Sequence, residues 1–349
     1  MTHGQPSETP DQRSRRRTTG RVTLADVARA AGVSPITVSR ALRGERAVDP
    51  QLVERVQQAV RQLGYVPDPA ARALASQRGT HVAVLIPLLS NALFVDLIEA
   101  VQRTLRPAGY QTLIGITHYD EAEELQLLRE QLLHRPAGLL ITGSPRNAEM
   151  AALVEGSGVP CVQLMEISTE PGHYSVGFSQ KAAGAAVVRH LLDRGRRRIV
   201  FAGAQLDSRT LQRLEGWREA LAAVGLHDPA LEWLDPAPSS LALGGRMLEQ
   251  ILAQQPQADA IFYCNDDLAQ GALLAALRLG VAVPGRIALV GFNDLTGSDQ
   301  MLPPLTTVRT PRAGIGEAAA SMLLALMRGE TPPHRAVDVG FELLVRQSS

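Results

Sequence analysis

From His81 onward the chain alternates short apolar runs with amphipathic stretches at helical spacing, and this pattern constrains the fold more than any other feature. The runs are VAVLIPLL, QTLIGIT, AGLLITG, PCVQLM, RIVFAGA, DAIFYCN and IALVGF. Between them lie FVDLIEAVQRTL, EELQLLREQLL, KAAGAAVVRHLLDRG and DLAQGALLAALRLG. Strands apolar on both faces, each followed by a helix, imply parallel sheets covered on both sides. Roughly 270 residues of this pattern exceed one typical sheet. Two doubly wound α/β subdomains are therefore expected.

In such sheets ligands sit beyond the carboxyl ends of the strands. The strand ends carry Asn91, Leu93 and Phe94, then Thr142, then Arg209 and Arg213, then Asn265, Asp266 and Asp267, then Asn293 and Asp294. Amides and a hydroxyl suit a polyhydroxylated ligand, and two arginines suit a carboxylate or phosphate. Taken singly, each residue is as readily a helix cap or a salt bridge. Asp266 or Asp267, ahead of LAQGALLAAL, reads as an N-cap.

The first 79 residues have a different character. They hold 13 Arg against 7 acidic residues, a net charge of +6, and the remainder carries −6. A basic module joined to an acidic one points to a polyanionic partner for the first. Residues 1–21 are polar and rich in Arg, Ser, Thr, Pro and Gly, the composition of a disordered basic tail. Thr23 with Asp26 three residues on marks a helix start. Ser34-Pro35, Asp49-Pro50 and Asp68-Pro69 repeat another start signal, a capping side chain followed by a proline that has no donor to lose.

Helices are expected at 24–31, 35–42 and 50–63, the first two joined by AGVS, a helix-turn-helix pattern. Leu24, Val27, Ala28, Ala31, Val38, Ala41, Leu42, Val53, Val56, Val60 and Leu63 would close a small core. That leaves Pro35, Ile36, Thr37, Ser39 and Arg40 outward near the start of the second helix, where such helices meet base edges. Arg40 can grip a guanine, Ile36 can touch a thymine methyl, and Thr23, Ser34, Thr37 and Ser39 suit phosphates. The alternative is a small helical domain with a solvated arginine face.

Residues 67–79 form a separate segment, with a helix of only about seven residues after Asp68. A helix this short needs something to pack against, and Leu74 is its one large apolar residue. An exposed leucine beside a DNA-binding module suggests a minor-groove wedge. The alternative is an ordinary interdomain linker.

Several functions find no support. The two cysteines, Cys161 and Cys264, make no disulfide framework and sit in strand-like runs, as in a reducing compartment. There is no bilayer-length apolar run and no secretory leader pattern, so a cytoplasmic protein is expected. A phosphate loop, a metal-spaced histidine pair and a G-x-S-x-G turn are all absent from the sequence. No cofactor, metal or catalytic residue is expected.

The run TLADVARAAGVSPITVSRALRG, continuing through VDPQLVERVQQAVRQLGYVPDPAARALAS, resembles the LacI/GalR family of bacterial transcriptional regulators. The resemblance implies base reading by Pro35, Ile36 and Arg40, an intercalating Leu74, and Ala71 and Ala75 facing the minor groove. Pro35 and Ile36 carry no side-chain donor or acceptor, so discrimination there works by shape and methyl contact.

The resemblance further implies a headpiece at 22–66, a hinge helix at 67–79, and a sensor of the periplasmic-binding-protein type I kind at 80–349. Its subdomains fall at roughly 80–178 plus 309–336 and 179–308 plus 337–349. Arg213, Asn265 and Thr142 fall on effector-contact positions. Asn293 stands where many members have Asp, which makes the pocket less acidic. GYQTLIG, LDSRT and VGFSQKAAGA are similar to repressors of gluconate and 2-ketogluconate use, so a sugar acid is the expected effector. GFELLVRQSS shows no heptad run, which favours a homodimer on near-palindromic operator DNA over a tetramer. A solute-binding protein for transport shares the sensor fold but has no use for a basic helix-turn-helix. A regulator answering a neutral sugar or sugar phosphate remains the other alternative.

Overall fold

The computed structural model describes residues 22–42, 48–66, 79–90, 92–143, 147–168 and 170–349. The chain forms two compact units, residues 1–77 and 78–349.

The first unit holds α1 (Leu24–Ala31), α2 (Pro35–Leu42) and α3 (Pro50–Leu63). Thr23 and Asp26 cap α1 reciprocally, each side chain bonded to the other's backbone N–H. Gly32 ends α1 at φ 65°, a left-handed conformation that glycine adopts without strain, and so turns the chain into α2. Thr37 N–H donates to Ser34 Oγ at 3.1 Å, and Gln51 N–H donates to Asp49 Oδ1 at 2.7 Å. The buried core is Val27, Ala28, Ala31, Val38, Ala41, Val56 and Ala59. Leu42 and Leu63, expected inside, are 36% and 37% exposed because each ends its helix, beyond the crossing of the three.

The second unit contains two six-stranded sheets. The first comprises β1 (His81–Ile86), β2 (Gln111–Ile116), β3 (Gly138–Thr142), β4 (Cys161–Met165), β5 (Ser175–Gly177) and β11 (Ala336–Asp338). Its order is β11-β5-β4-β3-β1-β2, all parallel. The helices α4 (Ala92–Leu105) and α11 (Arg312–Met327) pack together over one face of it. The other face is covered by α5 (Glu121–Leu133) and α6 (Ala148–Ser157). Val82, Val84 and Ile86 belong to the core on one side, and Ala83 and Leu85 to that on the other.

The second sheet comprises β6 (Ile199–Ala204), β7 (Glu232–Asp235), β8 (Ala260–Tyr263), β9 (Ala288–Asn293), β10 (Thr306–Arg309) and β12 (Glu342–Leu344). Its order is β12-β10-β9-β8-β6-β7. Only the edge strand β12 runs antiparallel, a departure from the all-parallel expectation. Two helix pairs accompany it, α7 (Gln180–Asp193) with α8 (Ser208–Ala222), and α9 (Leu241–Gln254) with α10 (Asp266–Leu279).

The chain passes between the sheets after β5, after β10 and after β11. The last crossing follows Asp338 rather than Ala336, because Val337 and Asp338 still pair with β5. Cys264 is buried and Cys161 partly so, and burial pushes their thiols up to about 11 and about 12. Among the described residues no helix is long and apolar enough to cross a membrane.

Candidate functional site

A cleft of about 360 Å³ opens where the carboxyl ends of strands from both sheets meet. Residues following β1 and β2 (Leu88, Ser90, Leu93, Tyr119) form one side, and residues following β6 to β9 form the other.

Arg213 enters it from α8, and close helix packing fixes its position. A Cβ on Gly216 would lie 2.0 Å from Lys181 O in α7, and one on Gly184 would lie 2.4 Å from Arg213 O. Only paired glycines allow α7 and α8 this approach. Arg213 Nε then donates to Gln180 Oε1 at 2.9 Å and Nη1 to Cys264 O at 2.5 Å. Its guanidinium lies 3.7 Å from the Phe292 ring centroid. Burial lowers the Arg213 pKa to about 10, against the pull of Asp207.

Arg209 lies one turn earlier. Its Nε and Nη2 donate to Asp207 Oδ2 at 3.1 and 2.5 Å, and Nη2 also reaches Tyr119 Oη at 3.3 Å. Its Nη1 is buried with no hydrogen-bond partner among the described residues. Burial opposes the Arg209 charge, but the Asp207 carboxylate outweighs it and raises the pKa above the usual arginine value. Burial likewise opposes ionisation of Asp207, yet Arg209, the Thr210 N–H and Arg213 hold that carboxyl at about 2. The pair is fully ionised.

The rest of this wall of the cleft is hydroxyl- and amide-rich. Asn265 caps α10, accepting from Leu268 N–H at 3.2 Å and from Ser239 Oγ at 2.8 Å. Asn293 ends β9 with its Oδ1 accepting from Thr310 Oγ1 at 3.1 Å. Asp267 lines the cleft, and burial with the neighbouring Asp266 raises its pKa to about 6. Asp266 itself is fully buried and structural. Its carboxyl accepts from Leu295 N–H, Ser298 Oγ and Thr307 Oγ1 at 2.7–2.8 Å, joining β9, β10 and α10. The helix cap expected of Asp266 or Asp267 therefore belongs to Asn265.

Several contacts span the two subdomains around the cleft. Arg209 reaches Tyr119, and Glu166 Oε2 accepts from Ser208 Oγ at 3.2 Å and Gln212 Nε2 at 2.9 Å. Arg312, paired with Asp96 of its own subdomain at 3.0 Å, donates across to Asp294 O at 3.3 Å. Any ligand that alters how the walls meet acts on these links.

Of the expected effector residues, Leu93, Arg209, Arg213, Asn265 and Asn293 line the cleft. Phe94 does not; it turns into the core at 0% exposure and stands behind Arg209, ring centroid 5.7 Å from the guanidinium. Thr142 does not either, because its hydroxyl donates to Leu85 O within the sheet at 3.0 Å. Asn91 lies outside the described residues. Tyr119, Gln205, Asp207, Thr210 and Gln270 were not anticipated. Tyr119 follows β2, so the strand-end rule would have found it. Asp207 sits within LDSRT, two residues ahead of Arg209.

In the headpiece, Ser34, Pro35, Ile36 and Arg40 are exposed, and Thr37 and Ser39 are half-buried on the same helix. Ile36 is 65% exposed, an isoleucine left outside a core that could have used it. Thr23 is exposed beside its cap partner Asp26. The hinge positions Ala71, Leu74 and Ala75 lie outside the described residues.

The chain is 55% identical over 333 residues to the HTH-type transcriptional regulator GntR of Pseudomonas aeruginosa, covering 95% of this chain and 97% of that protein. Residues 23–68 match the model of the bacterial regulatory proteins of the lacI family. The chain belongs to the LacI family. Residues 188–349 match the periplasmic binding protein-like domain. The structure of transcription regulator GntR from Chromobacterium violaceum is similar at TM-score 0.75 and 51% identity, over 77% of this chain and 99% of that one. The lac repressor dimer bound to operator and the anti-inducer ONPF is similar at TM-score 0.83 and 26% identity, over 94% and 99%. This LacI-family protein is a DNA-binding transcriptional regulator and not an enzyme, with a helical headpiece ahead of two α/β subdomains of periplasmic-binding-protein type.

Proposed function

We propose that this regulator is a cytoplasmic homodimeric repressor whose grip on a near-palindromic operator is set by a sugar acid in the cleft. The observation that carries the ligand class is the buried Arg209, one of whose nitrogens has no partner among the described residues, beside Arg213 on a wall of amides and hydroxyls. A buried donor without a partner costs free energy that an anionic ligand would recover. The polar wall then takes the ligand's hydroxyls. In the headpiece, Pro35, Ile36 and Arg40 meet base edges, with Thr23, Ser34, Thr37 and Ser39 toward phosphates.

Ligand occupancy changes how the two subdomains meet, and the segment 67–79 passes that change to the headpiece, with Ala71, Leu74 and Ala75 at the minor groove. The control works only as far as the ligand prefers one arrangement over the other. Isothermal titration of the full chain with D-gluconate, 2-keto-D-gluconate, D-glucose and D-glucitol tests the ligand class. The acids should bind at least about tenfold more tightly than the neutral compounds, since charge-assisted bonds contribute roughly twice a neutral one. A neutral sugar outcompeting both acids would overturn the assignment.

A further inference from the structure

Asp207 is the unexpected member of the cleft. A site built to hold an anion carries a fully ionised carboxylate within 2.5 Å of its own arginine. Asp207 also caps α8, its Oδ1 accepting from Thr210 N–H at 2.9 Å, but any Asn or Ser would serve as cap. The negative charge needs another reason.

The geometry supplies one. Asp207 Oδ2 occupies both Nε and Nη2 of Arg209, the bidentate edge that would otherwise take a ligand carboxylate face-on. Nη1 alone is left, buried and without a partner among the described residues. Tyr119 and Phe94 flank the guanidinium, their ring centroids 5.8 and 5.7 Å away, so it cannot swing to offer its other edge. Arg213 is similarly committed at Nε and Nη1. A bare anion entering this cleft meets arginine donors already committed to Asp207, Gln180 and Cys264, and a nearby negative charge. A polyhydroxylated acid meets the same arginines and adds hydrogen bonds to Asn265, Asp267 and Asn293, which line the cleft or end its strands.

We propose that Asp207 is a specificity-determining residue of the cleft: an internal carboxylate that takes the two-donor edge of Arg209, so that anions bind only when they also carry hydroxyls for Asn265, Asp267 and Asn293. This rests on the reading of the cleft as the effector site, and it assigns the direction of the ligand. The acid group lies at Arg209 and Tyr119, and the hydroxylated tail lies toward Asp267 and Asn293.

The test is calorimetry on the full chain, wild type against Asp207→Asn and Asp207→Ser, which both keep a cap acceptor. The probes are D-gluconate, D-glucitol, acetate and sulfate. Wild type should show no measurable binding of acetate or sulfate. Both variants should bind D-gluconate roughly tenfold more tightly or better, because a like charge beside the ligand is removed. Acetate and sulfate should become competitors, and D-glucitol should not change. Unchanged or weakened gluconate binding, with bare anions still excluded, overturns the proposal. The two variants together guard against a local defect, since matching melting temperatures with diverging anion affinities cannot come from misfolding. Should wild type bind D-glucitol as well as D-gluconate, the sugar-acid reading fails. The sulfate and acetate results would still decide the role of Asp207.

Discussion

Ile36→Ala separates recognition from folding at a single side chain. The isoleucine is 65% exposed, so its truncation leaves no cavity, and alanine is the better helix former. Stability should change by no more than about 0.5 kcal/mol. Full burial of an isoleucine side chain stabilises by about 1.5–3 kcal/mol. If the operator covers the exposed two-thirds, the methyl contact contributes roughly 1–2 kcal/mol, a five- to thirtyfold rise in operator Kd on truncation. Fluorescence anisotropy at several salt concentrations, beside thermal unfolding, measures both quantities. No charge is lost, so the salt slope of binding should be preserved. Full operator affinity in the variant, or a drop in melting temperature that accounts for the loss, would refute the placement of this helix against base edges.

Arg40→Ala should raise operator Kd by the equivalent of about 1–3 kcal/mol and relax base preference at one position of each half-site, read by binding to single-substituted duplexes. Asp267 offers a pH test. Its pKa rises from 3.8 to about 6, so the folded state holds that proton longer than the unfolded chain. Stability is therefore lost as pH climbs from about 4 to about 6, and Asp267→Asn should flatten that slope in melting curves compared with wild type. The same variant should weaken D-gluconate binding at pH 7, because one of two carboxylate acceptors for the ligand's hydroxyls becomes a donor. Gly216→Ala places a methyl against the Lys181 carbonyl and the Ala185 N–H, backbone atoms that cannot rotate away. It should cost about 1–3 kcal/mol in chemical denaturation and reduce ligand binding with it, since Arg213 rides on the same helix.

The legibility of this chain follows from which signals are local. The three headpiece helices were readable to the residue because Thr23, Ser34 and Asp49 cap them and Gly32 and Gly64 end the first and third. Long apolar strands were readable for the same reason. Strands β5, β7, β10, β11 and β12 were not, for they span three or four residues and are strands only through the partners they pair with.

The cleft divides along a similar line. Arg213, Asn265 and Asn293 follow from the strand-end rule. Phe94 and Thr142 obey that rule in sequence, but their side chains turn inward, a matter of helix rotation and sheet hydrogen bonding that one strand cannot reveal. Asp207 was illegible because its role depends on a guanidinium two residues away folding back on it.

The account rests on coupling between cleft and operator, and a four-sided titration measures it directly. The operator Kd is determined with and without saturating D-gluconate, and the D-gluconate Kd with and without saturating operator duplex. Linkage requires the two ratios to be equal, and the account predicts a common factor of at least about five. Two ratios of one, with both ligands bound, would contradict it.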